Sequence, residues 1–421
     1  MTSGPSALEP RAGARRPWAT TRARPSSAGG AGVAALLVPL LVGAVTGALA
    51  ATRLLVAGDV LQLVWAEDGR TFLGDAESAG ASSLWRSYAG YAHTLPRLIA
   101  LVGAAAPLSW YAALTVVTAL VVLALAAAFV HAAARELTGS WAWALVPALS
   151  LALVPSLGVE ALGNAANLQW TLIAATPWAL VLSRQSPLRW LGALVAVVAA
   201  ATTPLVAVVL PVALVVHRWR VVRSLPVLAT LLGLALQVLV MAFGPESDAN
   251  PLARDPGASP RYVAASFLAL VTGPRGLPWR PAQVVGALVL LLALVACLTA
   301  GERRLSALCL LASGLLLYVV VVALNGSTAS RYEAVAAMLV LAAVALSGPR
   351  ARWWTATAAV TLWALSAVVA FPAAPVRVSG PSWPEQVRAM DAACRAGAEG
   401  ADLRLSPEGW GVVSLPCAAL R

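Results

Sequence analysis

Long apolar runs, separated by short links that carry arginine, dominate the chain. Each run is about 20 residues, the length of a helix that crosses a bilayer core. None shows the strict alternation of barrel strands. In lipid a backbone amide has no outside partner, so such runs must close their own hydrogen bonds as helices. The pattern predicts an all-α integral membrane protein of about ten or eleven transmembrane helices.

Residues 1–30 are mostly Pro, Gly, Ser, Ala and Arg, and read as a disordered cytoplasmic tail. Residues 31–371 form the transmembrane bundle. Its first span is 31–51; Ala48-Leu49-Ala50 resembles a cleavage site, but the run is long for a signal peptide and reads as a retained anchor. An outer loop follows at 52–96. Apolar runs return inward toward Arg135, outward from Trp141 to near Glu160, and inward again toward Arg184 and Arg189. A second outer loop lies at 244–280, with an apolar stretch at 262–271 read as lying on the membrane surface. Four more spans, near 284–300, 305–324, 335–347 and 353–371, lead to a short outer tail at 372–421.

The run at 190–216 decides the direction of everything after it. It is long for one span and short for two, and Thr202-Thr203-Pro204 sits near its middle. A single crossing would put Arg218, Arg220, Arg223, Arg303, Arg304, Arg350 and Arg352 outside, against the rule that arginine stays in the cytoplasm. A hairpin of two short helices turning at Thr203-Pro204 keeps them all inside.

Composition sharpens this reading. Hydrophobic residues make up 60% of the chain and charged ones 11%, where a soluble domain carries about a quarter. The net charge is +11, and all 29 basic residues are arginine. Most of the basic excess sits in the N-terminal tail and the links, which is an orientation signal and not a nucleic-acid groove. The expected location is therefore the plasma membrane, multi-pass, with the N-terminus cytoplasmic and the C-terminus extracytoplasmic. The lipid bilayer is the first partner, and no nucleic acid is expected. No Cys/His metal-ligand spacing occurs; a divalent cation is left open, and no organic cofactor is indicated. Cys297 and Cys309 lie within spans and read as packing residues. Cys394 and Cys417 share the outer tail, where an oxidising environment favours a disulfide over two free thiols.

The chemistry concentrates in the first outer loop. Trp65-Ala66-Glu67-Asp68-Gly69-Arg70-Thr71-Phe72 sets adjacent carboxylates just after the first span, and Tyr91-Ala92-His93-Thr94-Leu95-Pro96-Arg97 leads back toward the membrane. This arrangement resembles the GT-C superfamily of membrane glycosyltransferases, of the protein O-mannosyltransferase and lipid A aminoarabinose transferase type. There an acidic pair follows the first span, with an aromatic a few residues on and a Pro-rich segment before the second span. The sharp part of the likeness covers about 35 residues, and the acids here run Glu-Asp and not Asp-Glu. The large outer C-terminal domain of several such enzymes has no counterpart in the tail. The resemblance implies sugar transfer from a polyprenyl-phosphate donor to an envelope acceptor on the outer face. Spacing to Phe72 favours Asp68 as catalytic, with Glu67 beside it.

The residues can be asked the same question directly. An attacking hydroxyl needs one carboxylate in hydrogen-bond reach to take its proton. A departing phosphate needs positive charge, which the arginine fork supplies. Candidates for substrate binding are His93, Arg97, Glu160, Asn167, Gln169, Arg331 and Tyr332. Each has a plainer role: Asn and Gln cap helices, Trp170 anchors at an interface, Arg331 and Glu333 form an ion pair, and Glu67 and Asp68 solvate a loop. Arg254, Arg261, Arg275 and Arg280 of the second loop are further phosphate candidates. A transporter or flippase of envelope precursors, or a non-catalytic scaffold, is the alternative.

Overall fold

The computed structural model describes residues 31–247, 264, 266–268, 279–325, 329–371 and 379–420. The N-terminal tail and Arg254, Arg261 and Arg275 lie outside the described residues. Helices run in the order α1 (Ala31–Ala57), α2 (Gly74–Ala79), α3 (Thr94–Ala104), α4 (Tyr111–Thr138), α5 (Trp141–Leu153), α6 (Gly158–Ala161), α7 (Leu168–Leu180), α8 (Arg189–Thr202), α9 (Leu210–His217) and α10 (Leu225–Phe243). They continue as α11 (Trp279–Leu298), α12 (Arg304–Asn325), α13 (Ser330–Ser347), α14 (Trp353–Ala370) and α15 (Trp383–Arg395). Six of the described segments are long and apolar enough to cross a membrane, and shorter apolar helices pack among them. The chain is a helical membrane protein.

Polar tethers sort the helix ends into two groups. Ser186 Oγ donates to Glu136 Oε2 at 2.7 Å, which ties the end of α4 to the α7–α8 link. Arg303 reaches the carbonyl oxygens of Leu346 and Leu137, joining the α11–α12 link to the ends of α13 and α4. His217 Nε2 donates to Leu180 O at 2.7 Å. This end carries Arg135, Arg184, Arg189, Arg218, Arg220, Arg223, Arg303, Arg304, Arg350 and Arg352 against Glu136 and Glu302. At the other end Arg53 donates to Ala152 O and Val154 O, at 2.6 and 3.3 Å, and stands over the Phe371 ring.

The chain reverses inside 190–216. Helix α8 stops at Thr202, because Thr203 is extended and Pro204 follows; a residue before proline is pushed out of the helical region. Residues 204–217 then run back, and the His217–Leu180 bond sets Arg218–Arg223 beside Arg184 and Arg189. The reversal is stapled in place: Ala201 O accepts from Thr94 Oγ1 and from Gln237 Nε2, both at 2.7 Å.

Small residues let the backbones approach. A Cβ at Gly43 would lie 2.4 Å from Ala124 O, and one at Gly47 would lie 3.0 Å from Ala124 Cβ. The Gly-x-x-x-Gly pair thus seats α1 on α4. Helix α13 is buried along 332–347 on every face. A helix apolar all round belongs at a bundle's centre.

The tail folds against the arginine-poor end. Helix α15 packs on an antiparallel hairpin, β1 (Gly400–Arg404) with β2 (Val412–Pro416). Cys394 and Cys417 are joined by a disulfide, with Cα atoms 5.8 Å apart. This hairpin is a small addition to a chain that is otherwise helical, as expected of an all-α membrane protein. Within the second outer loop, Ser266 is buried and donates to Glu333 Oε1 at 2.8 Å, and Phe267 meets Tyr318. Of the described residues of 262–271, Ser266 and Phe267 thus face the bundle, while Leu268 is exposed.

Candidate functional site

The segment 52–96, expected as an outer loop, is folded, not extended. Residues 66–79 are helical, and Asp68–Leu73 form a π-helical turn, a form enriched at functional sites. Consecutive helical side chains diverge by about 100°, so Glu67 and Asp68 face different surroundings. Asp68 is fully buried. Its Oδ2 accepts the Ala165 N–H at 3.0 Å and its Oδ1 the Ala166 N–H at 2.8 Å. Both oxygens thus bind the loop that precedes α7. Tyr111 adds a bond to the Asp68 carbonyl oxygen at 2.7 Å.

Glu67 points instead into a cavity of about 710 Å³, within the 300–1,000 Å³ of small-molecule sites. Its Oε2 is buried, and the Trp65 side chain hydrogen-bonds the carboxylate. Of the two expected acids only Glu67 lines the cavity; Asp68 is absent from its wall and its oxygens are occupied. Burial pushes the Glu67 carboxyl above its ordinary range, an effect that Arg331 partly offsets.

Arg331, at the start of α13, lines the same cavity and is ion-paired with Glu160. Its guanidinium stands 5.1 Å from the Tyr332 ring centroid. Asn167, Gln169, Tyr332 and His93 complete the polar wall, and Tyr88, Tyr91 and Trp170 add aromatic faces. Pro204, Leu205, Met241, Val321 and Leu324 form an apolar wall. One cavity thus offers charge and hydrogen bonding on one side and hydrocarbon on the other.

The loop at 160–170 builds itself from amides. Asn164 Nδ2 donates to Glu160 O at 2.6 Å, and Asn164 Oδ1 accepts the Asn167 N–H at 2.9 Å. Asn167 Oδ1 accepts from Trp170 Nε1 at 2.9 Å. Gln169 Oε1 accepts from the Tyr91 hydroxyl at 2.9 Å. Burial raises the Tyr91 hydroxyl, and raises that of Tyr88 to about 12 with Glu67 contributing. Both are therefore neutral donors.

His93 stacks on Tyr91 at 4.1 Å, and the backbone of Tyr88 lies within hydrogen-bond reach of its ring. Burial first, then Arg97, lowers its pKa to about 3, so the ring is neutral, with one donor and one acceptor. Arg97 lies elsewhere. It is fully buried, pairs with Asp75 at 2.7 Å, and stands over Phe72. Arg86 holds the other Asp75 oxygen at 2.7 Å. Arg97, expected among the substrate ligands, is absent from the cavity lining, and its charge braces the loop through Asp75. Among the described residues no three His, Cys, Asp or Glu side chains gather as a metal site.

Sequence reading missed Tyr88, Glu246 and the apolar wall. The last comes from α10, α12 and the turn at Pro204, which no local motif links. No protein-family model, curated protein or solved structure matches the chain.

Proposed function

We propose that the chain is a GT-C-like membrane glycosyltransferase that moves a sugar from a polyprenyl-phosphate donor to a hydroxyl acceptor at the outer membrane face. The observation that carries this reading is Glu67, its carboxylate buried at a cavity that Arg331 also lines. The acceptor O–H would give its proton to Glu67 as its oxygen attacks the anomeric carbon. The bond from that carbon to the phosphate oxygen breaks, and the phosphate leaves as an anion beside Arg331. No general acid is required, because that leaving group is already stable. The apolar wall suits the first isoprene units of the donor, and His93, Gln169 and Tyr91 suit sugar hydroxyls.

The orientation follows from charge. Arginine-rich ends stay in the cytoplasm, which puts the cavity and tail outside. Counting α1, α4, α5, α7, α8, 204–217 and α10 to α14 as crossings gives about eleven. Reporter fusions after Arg220, Arg304 and Arg352 should read cytoplasmic, and a fusion after Gly380 external. An external reading at Arg220 would overturn this orientation.

The reading is tested by transfer from a radiolabelled polyprenyl-phosphate sugar in reconstituted membranes. Arg331→Lys keeps the charge and loses the fork that meets both Glu160 and a phosphate. It should raise donor KM by about tenfold, roughly 1.4 kcal/mol, with a smaller change in kcat. An unchanged donor KM would remove Arg331 from the phosphate site.

A further inference from the structure

We infer that the C-terminal tail is a positioning element for Glu67, locked by the Cys394–Cys417 disulfide. The tail does not merely rest on the outer face; it pairs with the segment that presents the carboxylate. Ser406 N donates to Val64 O at 2.8 Å, and Ala66 N donates to Ser406 O at 2.9 Å. The backbone on the N-terminal side of Glu67 is thus gripped at both 64 and 66. On the C-terminal side, Leu405 sits over Gly69, where an added Cβ would lie 2.3 Å from Leu405 Cδ2. Trp65 meets Trp410 with ring centroids 5.5 Å apart.

The two parts also share one core. Val64, Trp65, Phe72 and Leu73 cluster with Trp383, Leu403, Leu405 and Val413. Trp383 Nε1 donates to Leu108 O at 2.8 Å, next to the Tyr111 that holds the Asp68 carbonyl. A tail of this size cannot bury a core of its own without a staple. The disulfide ties the end of α15 to the end of β2, and so holds the face that carries Leu405 and Ser406. Reducing it frees the hairpin, and with it the backbone of 64–69. A shift of about 1 Å at a reacting group costs about 10²-fold in rate.

The catalytic side of this inference rests on Glu67 being the base; the structural side does not. Two measurements keep them apart, both on the full-length protein in reconstituted membranes. In the first, hydrogen exchange of amides 64–69 is compared between wild type and the Cys394→Ser/Cys417→Ser chain. Faster exchange there, with α4 and α13 unchanged, supports the grip; equal exchange overturns it. In the second, sugar transfer is measured in the same chains and in Gly69→Ala, alone and with Leu405→Ala. The serine pair and Gly69→Ala should lose about 10²-fold in kcat at constant donor KM, and Leu405→Ala should restore part of the Gly69→Ala loss. Faster exchange with kcat unchanged would overturn the positioning role. If wild type transfers no sugar while exchange still responds, the transferase reading fails and the grip on 64–69 stands.

Discussion

Glu67→Gln is expected to lower sugar transfer by about 10²–10⁴-fold, the usual contribution of a positioned general base. Donor affinity should stay within about twofold, since the amide keeps the shape and Arg331 keeps its partner Glu160. The remaining activity of wild type should fall as pH drops through the raised Glu67 pKa, because only the ionised carboxylate accepts a proton. Stability should move the other way. A carboxyl whose folded pKa is raised supports folding fully below its unfolded value, about 4.3. That support is lost as pH rises through the folded pKa. At neutral pH the glutamine variant should therefore be at least as heat-stable as wild type. Loss of activity without loss of melting temperature is the signature of a group kept for chemistry at some cost to the fold. Full activity of Glu67→Gln would remove the enzymatic reading of this cavity.

Much of the architecture was legible because membrane constraints are strong and local. Run length predicts crossings, and arginine placement predicts which links share an end. That is why the tethers through Glu136, His217 and Arg303 gather the links that sequence assigned to one side. The turn at Thr203-Pro204 was readable because proline acts on its own neighbour. The disulfide partners were readable because two cysteines lie in one outer segment. The choice between Glu67 and Asp68 was not. It depends on helical phase in a π-turn and on where residues 165 and 166 pass, about 97 positions away. The place of Arg97 away from the cavity was hidden for a related reason. A lone arginine near an acid pair looks like a ligand until its own partner, Asp75, is seen 22 positions upstream. The tail's grip on 64–66 is backbone pairing between distant segments, so no side chain announces it. The Gly43–Gly47 seat on α4 was present in the sequence as a spacing and went unread.

Asp68→Asn should separate the neighbouring acids most sharply. The aspartate accepts backbone N–H groups of Ala165 and Ala166 with one oxygen each. Asparagine keeps one acceptor and turns a donor toward the other amide, which leaves a buried N–H facing an N–H. Bonds to a charged acceptor contribute about 1.5–3 kcal/mol, and an unsatisfied buried donor costs about 1–3 kcal/mol. A destabilisation of about 2–4 kcal/mol is expected, visible as a lower melting temperature in detergent and a smaller folded fraction on size exclusion. The loop at 158–167 also carries Glu160, which holds Arg331, so donor KM should rise in the protein that remains folded. Its kcat should stay within a few-fold, because Glu67 still faces the cavity. The two substitutions should thus give opposite pairs of results: activity lost and stability kept at 67, stability lost and kcat kept at 68. An Asp68→Asn chain with normal melting temperature and a kcat reduced by 10²-fold or more would return the role of base to Asp68. The bonds to Ala165 and Ala166 would then be a resting arrangement that substrate displaces.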